Sequence, residues 1–247
     1  DGLASVPAFD FLNYVDVLTS GVTLSLYLKT LYYAAVVWAI TLLIGFTVAY
    51  FLAFHVQSLI WQMALLLLCT VPFWTSNIIR MISWIPFLGR NGIFNNALTG
   101  AGITDEPLEF LLFSDFAVII AYVHLFTLFM IVPIFNAMAR IDKALIEAAR
   151  DGGASAWRII WDIVVPLSRT GIALGSIFVL TLVMGDFFVV RVMSGSRSAS
   201  VAMAMSNQIA MVQYPPAAAS AVILLIVVSL MVAAILRVVD VRKEIAG

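Results

Sequence analysis

The chain has 247 residues, of which 63% are hydrophobic and 11% charged, with a mean hydropathy of +1.08 and a formal net charge of -1. So apolar a chain cannot bury its side chains in one water-soluble core, and it reads as an all-α polytopic membrane protein forming a single domain over 1–247. The near-neutral charge excludes a basic nucleic-acid face, and a lone cysteine, Cys69, excludes a disulfide framework or a thiolate metal cluster.

Residues 1–30 mix Asp1, Asp10 and Asp16 with the turn formers Gly2, Pro7 and Gly21, and read as an extramembrane lead-in. Leu31 to Phe54 then runs 24 residues without a charge. At about 1.5 Å per residue this exceeds a hydrocarbon core of about 30 Å, so 31–54 is the first expected span. After the polar turn His55 to Ser58, residues 59–79 form the second, with Pro72 near its middle. A proline there frees a carbonyl that a neighbouring group must satisfy, so a kink is expected. Residues 80–115 contain Pro86, Gly89, Gly92, Gly100 and Gly102 and are too interrupted to span, although the apolar pieces at 81–88 and 110–113 can lie in the interface. The third span is expected at 116–139, the fourth at 170–190 and the fifth at 215–236, the fourth being interrupted only by Asp186.

Between the third and fourth spans lies a polar stretch, 140–169, holding Arg140, Lys143, Arg150, Arg158 and Arg169 among Asp142, Glu147, Asp151 and Asp162. Helix formers up to Arg150 meet Gly152-Gly153, which stop the helix. Ser155 can cap a second helix, in which Trp157, Ile160 and Val164 recur at helical spacing as an apolar stripe. Pro166 ends this extramembrane part or opens the next helix. Grouping this stretch with the 55–58 turn and the tail places eight basic residues on one side against five on the other, which puts the stretch and the carboxy terminus in the cytoplasm. Residue 1 then lies outside, so a sixth, amino-terminal span is expected ahead of it.

Chemistry is sparse elsewhere. No phosphate-cradling G-x-x-x-x-G-K-[ST] loop is present, and His55 and His124 lack metal-binding or catalytic spacing, so no metal site is expected and packing roles suit both histidines. Asp186 is an expensive residue in an apolar span, costing about 2.5–3.5 kcal/mol at the bilayer centre and less near an interface. It is a candidate for meeting a positively charged substrate, the alternatives being an interfacial position or a pair with Arg191. The patch Trp74, Thr75, Ser76 and Asn77 offers an aromatic face and hydrogen-bond groups to a cation, or helix–helix hydrogen bonds around the Pro72 kink.

Glu147, Ala148, Ala149, Gly153, Ile163 and Pro166 fall on the spacing E-A-A, three residues, G, nine residues, I, one residue, L-P, with Asp151 matching a frequent extra and Val165 standing where leucine is usual. In this the stretch resembles the EAA loop of permease subunits of binding-protein-dependent ABC importers. PFWTSNIIR (72–80), LGRNGIFNNAL (88–98) and GDFFVVRVMSG (185–195) are similar to the spermidine/putrescine branch of that family, although Arg191 and Ser194 stand where that branch often has proline or a second glycine. The resemblance implies a type I ABC importer transmembrane helical bundle whose loop docks on a separate ATPase and whose solute is a polyamine or another cationic or zwitterionic compound such as an amino acid derivative or opine. It implies as partners a second, related permease, two copies of an ATPase subunit that bind ATP and magnesium in place of this chain, a soluble or lipid-anchored binding protein, and the lipid of a bacterial inner membrane. A secondary transporter is the alternative of another class, and Asp186 and Pro72 are the features that point to it.

Overall fold

The computed structural model describes residues 11–195 and 197–239, and all regular structure among them is helical. Helix α1 is Leu12–Thr19, and α2 is Gly21–Tyr50, prolonged by a π turn at Phe51–His55. Then come α3, Leu59–Thr70, a 3-10 turn at Val71–Trp74, and the short helices α4, Asn77–Ile82, α5, Trp84–Leu88, and α6, Ile93–Gly100. Helix α7 is Asp115–Met138, α8 is Lys143–Asp151, and α9 is Ala156–Ile159, which runs through a π turn at Ile160–Val164 into α10, Val165–Gly185. Helices α11, Phe188–Met193, α12, Val201–Ala210, and α13, Tyr214–Val238, complete the order.

Among the described residues four helices are long and apolar enough to cross a membrane, Gly21–His55, Asp115–Met138, Ala156–Gly185 and Tyr214–Arg237, and the bent pair Leu59–Trp74 and Asn77–Gly100 would make a fifth span if it counts as one. The core is the packing of α2, α7 and α10, with α7 in the middle. Small residues let these backbones approach. A Cβ added to Gly171 would lie 2.4 Å from the Pro133 carbonyl oxygen, and one added to Gly175 would meet Met130 Sδ at 2.7 Å. Gly45 of α2 faces the other side of the same Met130. Gly171 and Gly175 are four residues apart on one face, the small-xxx-small arrangement that suits close helix crossings where hydrophobic exclusion cannot drive association. Trp38 Nε1–H donates to Ser176 Oγ at 2.8 Å and adds a hydrogen bond between α2 and α10.

The boundaries differ from the sequence expectation in three places. The first long helix begins at Gly21, with Ser20 accepting from the Thr23 amide, and not at residue 31. Lys29 had bounded the apolar run, but it is paired with Asp115, whose carboxylate also accepts from Tyr33 and Ser198, so the charge does not end the helix. The expected second span at 59–79 is not one helix. Thr75 leaves helical geometry, its amide and hydroxyl both returning to the Pro72 carbonyl, and the segments Leu59–Trp74 and Asn77–Gly100 meet at 89°. The expected fourth span at 170–190 starts too late and ends too late: the helix runs unbroken from Ala156 and stops at Gly185, so Pro166 lies within it and Asp186 lies just past its end. Of the expected lead-in, Leu12–Thr19 forms α1 and residues 21–30 open α2; residues 1–10 lie outside the described residues, as does the expected cytosolic tail from Asp240 onward.

In the connection at 80–115, Met81, Leu88, Leu111 and Leu112 reach the core, and a buried asparagine ties its loops together. Asn95 is 0% exposed; its amide donates to the Gly89 and Leu108 carbonyls, and its oxygen accepts from the Leu108 amide.

Candidate functional site

The polar stretch folds as a helical corner. Asp142 caps α8 by accepting from the Ala144 amide at 2.9 Å. At the other end Gly153 takes φ +78, the Ala154 amide bonds the Ala149 carbonyl and the Gly153 amide bonds the Arg150 carbonyl, each at 2.9 Å. This is the Schellman closure, and it needs a residue free to adopt left-handed backbone angles. Nothing lies within 4 Å of a Cβ placed on Gly153, so the demand is conformational and not steric. Ser155 then caps the next helix through the Arg158 amide at 3.3 Å.

Ile146 and Ile159 anchor the corner into the core, at 6% and 2% exposure. The π turn places one extra residue in its ring, so the buried positions are Ile159 and Val164, five apart. The expected stripe of Trp157, Ile160 and Val164 is corrected accordingly: Trp157 is 69% exposed, and with Trp161 it forms an edge-to-face pair on the outside. Glu147, Ala148 and Asp151 are exposed as well, Ala149 and Ile163 are half-buried, and Pro166 sits exposed in the first turn of α10. The corner therefore offers Leu145, Glu147, Ala148, Trp157 and Trp161 outward while its isoleucines hold it to α7 and α10.

At the opposite end of the same long helix, Asp186 lines a cavity of about 330 Å³ together with Asn77, Met81, Phe126, Thr181 and neighbouring apolar residues. Its Oδ1 accepts from the Val189 amide at 2.8 Å and from the Tyr122 hydroxyl at 3.2 Å, so the carboxylate also closes the turn into α11. Among the described residues it has no ion-pair partner. The alternative of a pair with Arg191 is not what the structure holds. The Arg191 guanidinium donates to Ser206 Oγ at 2.9 Å and Asn207 Oδ1 at 3.1 Å and lies over the Phe187 ring.

Of the expected patch, only Asn77 reaches this cavity. Trp74 is 82% exposed elsewhere, Thr75 is engaged with Pro72, and Ser76 begins α4 without a side-chain cap. Asn77 Oδ1 accepts from Arg80, a residue that sequence reasoning counted among loop charges and that is 6% exposed, with its guanidinium 4.5 Å from the centre of the Phe73 ring. Arg80 Nε and Nη1 have no hydrogen-bond partner among the described residues. The signal that could have flagged it is an arginine placed directly after an apolar stretch and three residues after an asparagine. The histidines pack: His124 Nδ1 accepts from Trp84 Nε1–H at 3.0 Å, and His55 stacks on Phe51.

Comparison with known proteins follows this geometry. The spermidine/putrescine transport system permease protein PotB of Haemophilus influenzae is 33% identical over 184 residues, 71% of this chain and 64% of the relative. The PotB of Escherichia coli K12 is 34% identical over 143 residues, 58% of this chain and 52% of the relative. The chain thus matches about half to two thirds of the length of these relatives. A chain of a bacterial alginate ABC transporter, solved in complex with an alginate pentasaccharide-bound periplasmic protein, superposes with a TM-score of 0.75 over 93% of this chain and 81% of that one, at 19% identity, which is a likeness of fold. The sequence pattern described as binding-protein-dependent transport system inner membrane component matches residues 22–245, and the chain, a multi-pass all-α membrane protein, belongs to that family.

Proposed function

We propose that this chain is one permease of an ATP-driven importer that moves a polyamine, or a closely similar small organic cation, across a bacterial inner membrane. The observation that carries the reading is continuity. The helix Ala156–Gly185 has the docking corner at one end and Asp186 at the other, and its 30 residues extend about 45 Å. A push on the corner is felt at the cavity because no break in the backbone lies between them.

In this reading the corner 143–166 and the carboxy terminus face the cytoplasm, and Glu147, Ala148 and the exposed tryptophans meet an ATPase subunit. Two copies of that subunit bind ATP and magnesium. A second, related permease completes the route, and a soluble or lipid-anchored binding protein delivers solute from outside. Nucleotide and loaded binding protein must each prefer one of two arrangements of the helices, since a ligand of equal affinity for both shifts nothing. Asp186, which has no ion-pair partner among the described residues, supplies a carboxylate for a solute ammonium. The solute class is supported by the likeness to the polyamine permeases and by this carboxylate.

The test is uptake by the complete complex in proteoliposomes, with labelled putrescine and spermidine as probes. ATP-dependent accumulation is expected, and Asp186→Asn, which keeps an oxygen for the Val189 amide, should raise the KM about tenfold or more while assembly stays intact, as expected for loss of a charge-assisted hydrogen bond of about 1.5–3 kcal/mol. Absence of ATP-driven accumulation of either amine, with binding protein present, overturns the polyamine assignment. An unchanged KM in the variant removes Asp186 from the solute site.

A further inference from the structure

The Asp186 cavity is not the largest. A second cavity, of about 650 Å³, lies between α7 and α10 nearer the docking corner, with Asn136, Arg140, Asp142 and Thr170 among its walls. Nothing in the proposal above uses it.

The two cavities occupy one seam. On α7 the first is lined by Leu125 and Phe126, and the second by Val132, Pro133, Asn136 and Ala137, with Arg140 just past the helix end. These positions, with Phe129 between the sets, step by three or four residues and so follow a single helix face. On α10 the first is lined by Gly185, Leu182 and Thr181 and the second by Phe178, Leu174, Gly171 and Thr170, again in steps of three or four along one face. Two cavities on the same faces of the same two helices are successive stretches of one groove.

What separates them is aromatic. Phe129 of α7 and Phe178 of α10 face each other across the seam with ring centroids 6.3 Å apart. Phe126, which lines the first cavity, lies 6.3 Å from Phe129, and Phe73 meets Phe129 edge-on at 5.3 Å. Behind Phe73 stands the buried Arg80 guanidinium. Phe129 is thus held on two sides, whereas Phe178 is 48% exposed and has room to turn. An apolar pinch of this kind sheds water, while the ring faces still favour an organic ammonium over a hydrated inorganic ion.

We infer that the two cavities are consecutive solute compartments of one route along the α7/α10 seam, and that the Phe129–Phe178 pair is the divider a solute must part to pass from the Asp186 compartment to the Asn136 compartment. The inference rests on the permease reading for its orientation, but not on the identity of the solute. The inner compartment offers an amide, a hydroxyl and one charge of each sign, so it takes a small polar cation loosely, as a compartment near the exit should.

The test uses the complete complex in sealed membrane vesicles of both orientations, with Cys69→Ser as background and a cationic, membrane-impermeant methanethiosulfonate as probe. Cysteines at Thr181 and Asn136 report the two compartments. With the divider intact, T181C and N136C should react from opposite faces of the membrane. Adding Phe178→Ala should let the probe reach N136C from the face that labels T181C, at least tenfold faster than before. Phe129→Leu is the second variant should Phe178→Ala not assemble with the ATPase, and it should open the same passage. Equal labelling of both cysteines from one face with both rings in place, or no gain on shortening either ring, overturns the divider. Because the probe is not the solute, a failed polyamine uptake with this labelling pattern intact would sink the substrate assignment and leave the seam standing.

Discussion

At Gly153 a single backbone angle closes the corner between α8 and α9. Its φ of +78 costs an L-residue about 1–2 kcal/mol, and open space around it means that no steric clash adds to this. Gly153→Ala should therefore loosen the corner by about that amount, reducing ATPase retention on detergent purification roughly tenfold. Gly153→Asn, which tolerates the left-handed region better, should retain more, and equal retention in both would show that the angle is not what matters. The corner was legible in the sequence because its chemistry is local: Asp142, Gly153 and Ser155 each act on amides or angles within a few residues. Asp186 was legible as an unusual charge, but its cavity was not, since Asn77 and Asp186 are brought together by the packing of α4 and α11 on α7 and on each other. Arg80 escaped for the same reason, because burial of a guanidinium against Phe73 leaves no trace in a count of loop charges.

Among the elements, α10 combines the proposed lever with a tight crossing against α7. Its two glycines at the crossing, Gly171 and Gly175, are not equivalent. The atom nearest to a Cβ at Gly175 is the Met130 sulfur, the mobile part of a flexible side chain, although the Met130 Cα follows at 3.2 Å; at Gly171 it is the Pro133 carbonyl, which is backbone and cannot yield. Gly171→Ala should destabilise by about 1–3 kcal/mol and lower the melting temperature of the purified complex clearly more than Gly175→Ala does. The reverse order would mean that α7 shifts as a body to make room. Span limits drawn from the sequence erred where charges and prolines were taken as boundaries. Lys29 is neutralised by Asp115, Pro166 directly follows the π turn inside a helix that runs on past it, and the real interruption falls at Thr75, after the Pro72 that was expected to kink an otherwise continuous helix.

For the molecule as a whole, the helices divide into a packed centre and a lightly covered periphery. Helices α2, α7 and α10 bury much of each other, while α3 has no buried residue and α13 buries few of its side chains within this chain. That division suits a subunit whose centre transmits motion and whose flanks meet lipid or other subunits. The centre links three things along one helix: the corner proposed to dock the ATPase, the α7/α10 seam and the Asp186 cavity. The orientation of that line in the membrane decides whether an ATPase can drive it. The most direct measurement is labelling of Ala148→Cys, in a Cys69→Ser background, by an impermeant maleimide in vesicles of known sidedness, with and without the ATPase subunit. Labelling from the cytoplasmic face only, and its loss when the ATPase is bound, is the expected result; labelling from the outer face would contradict it.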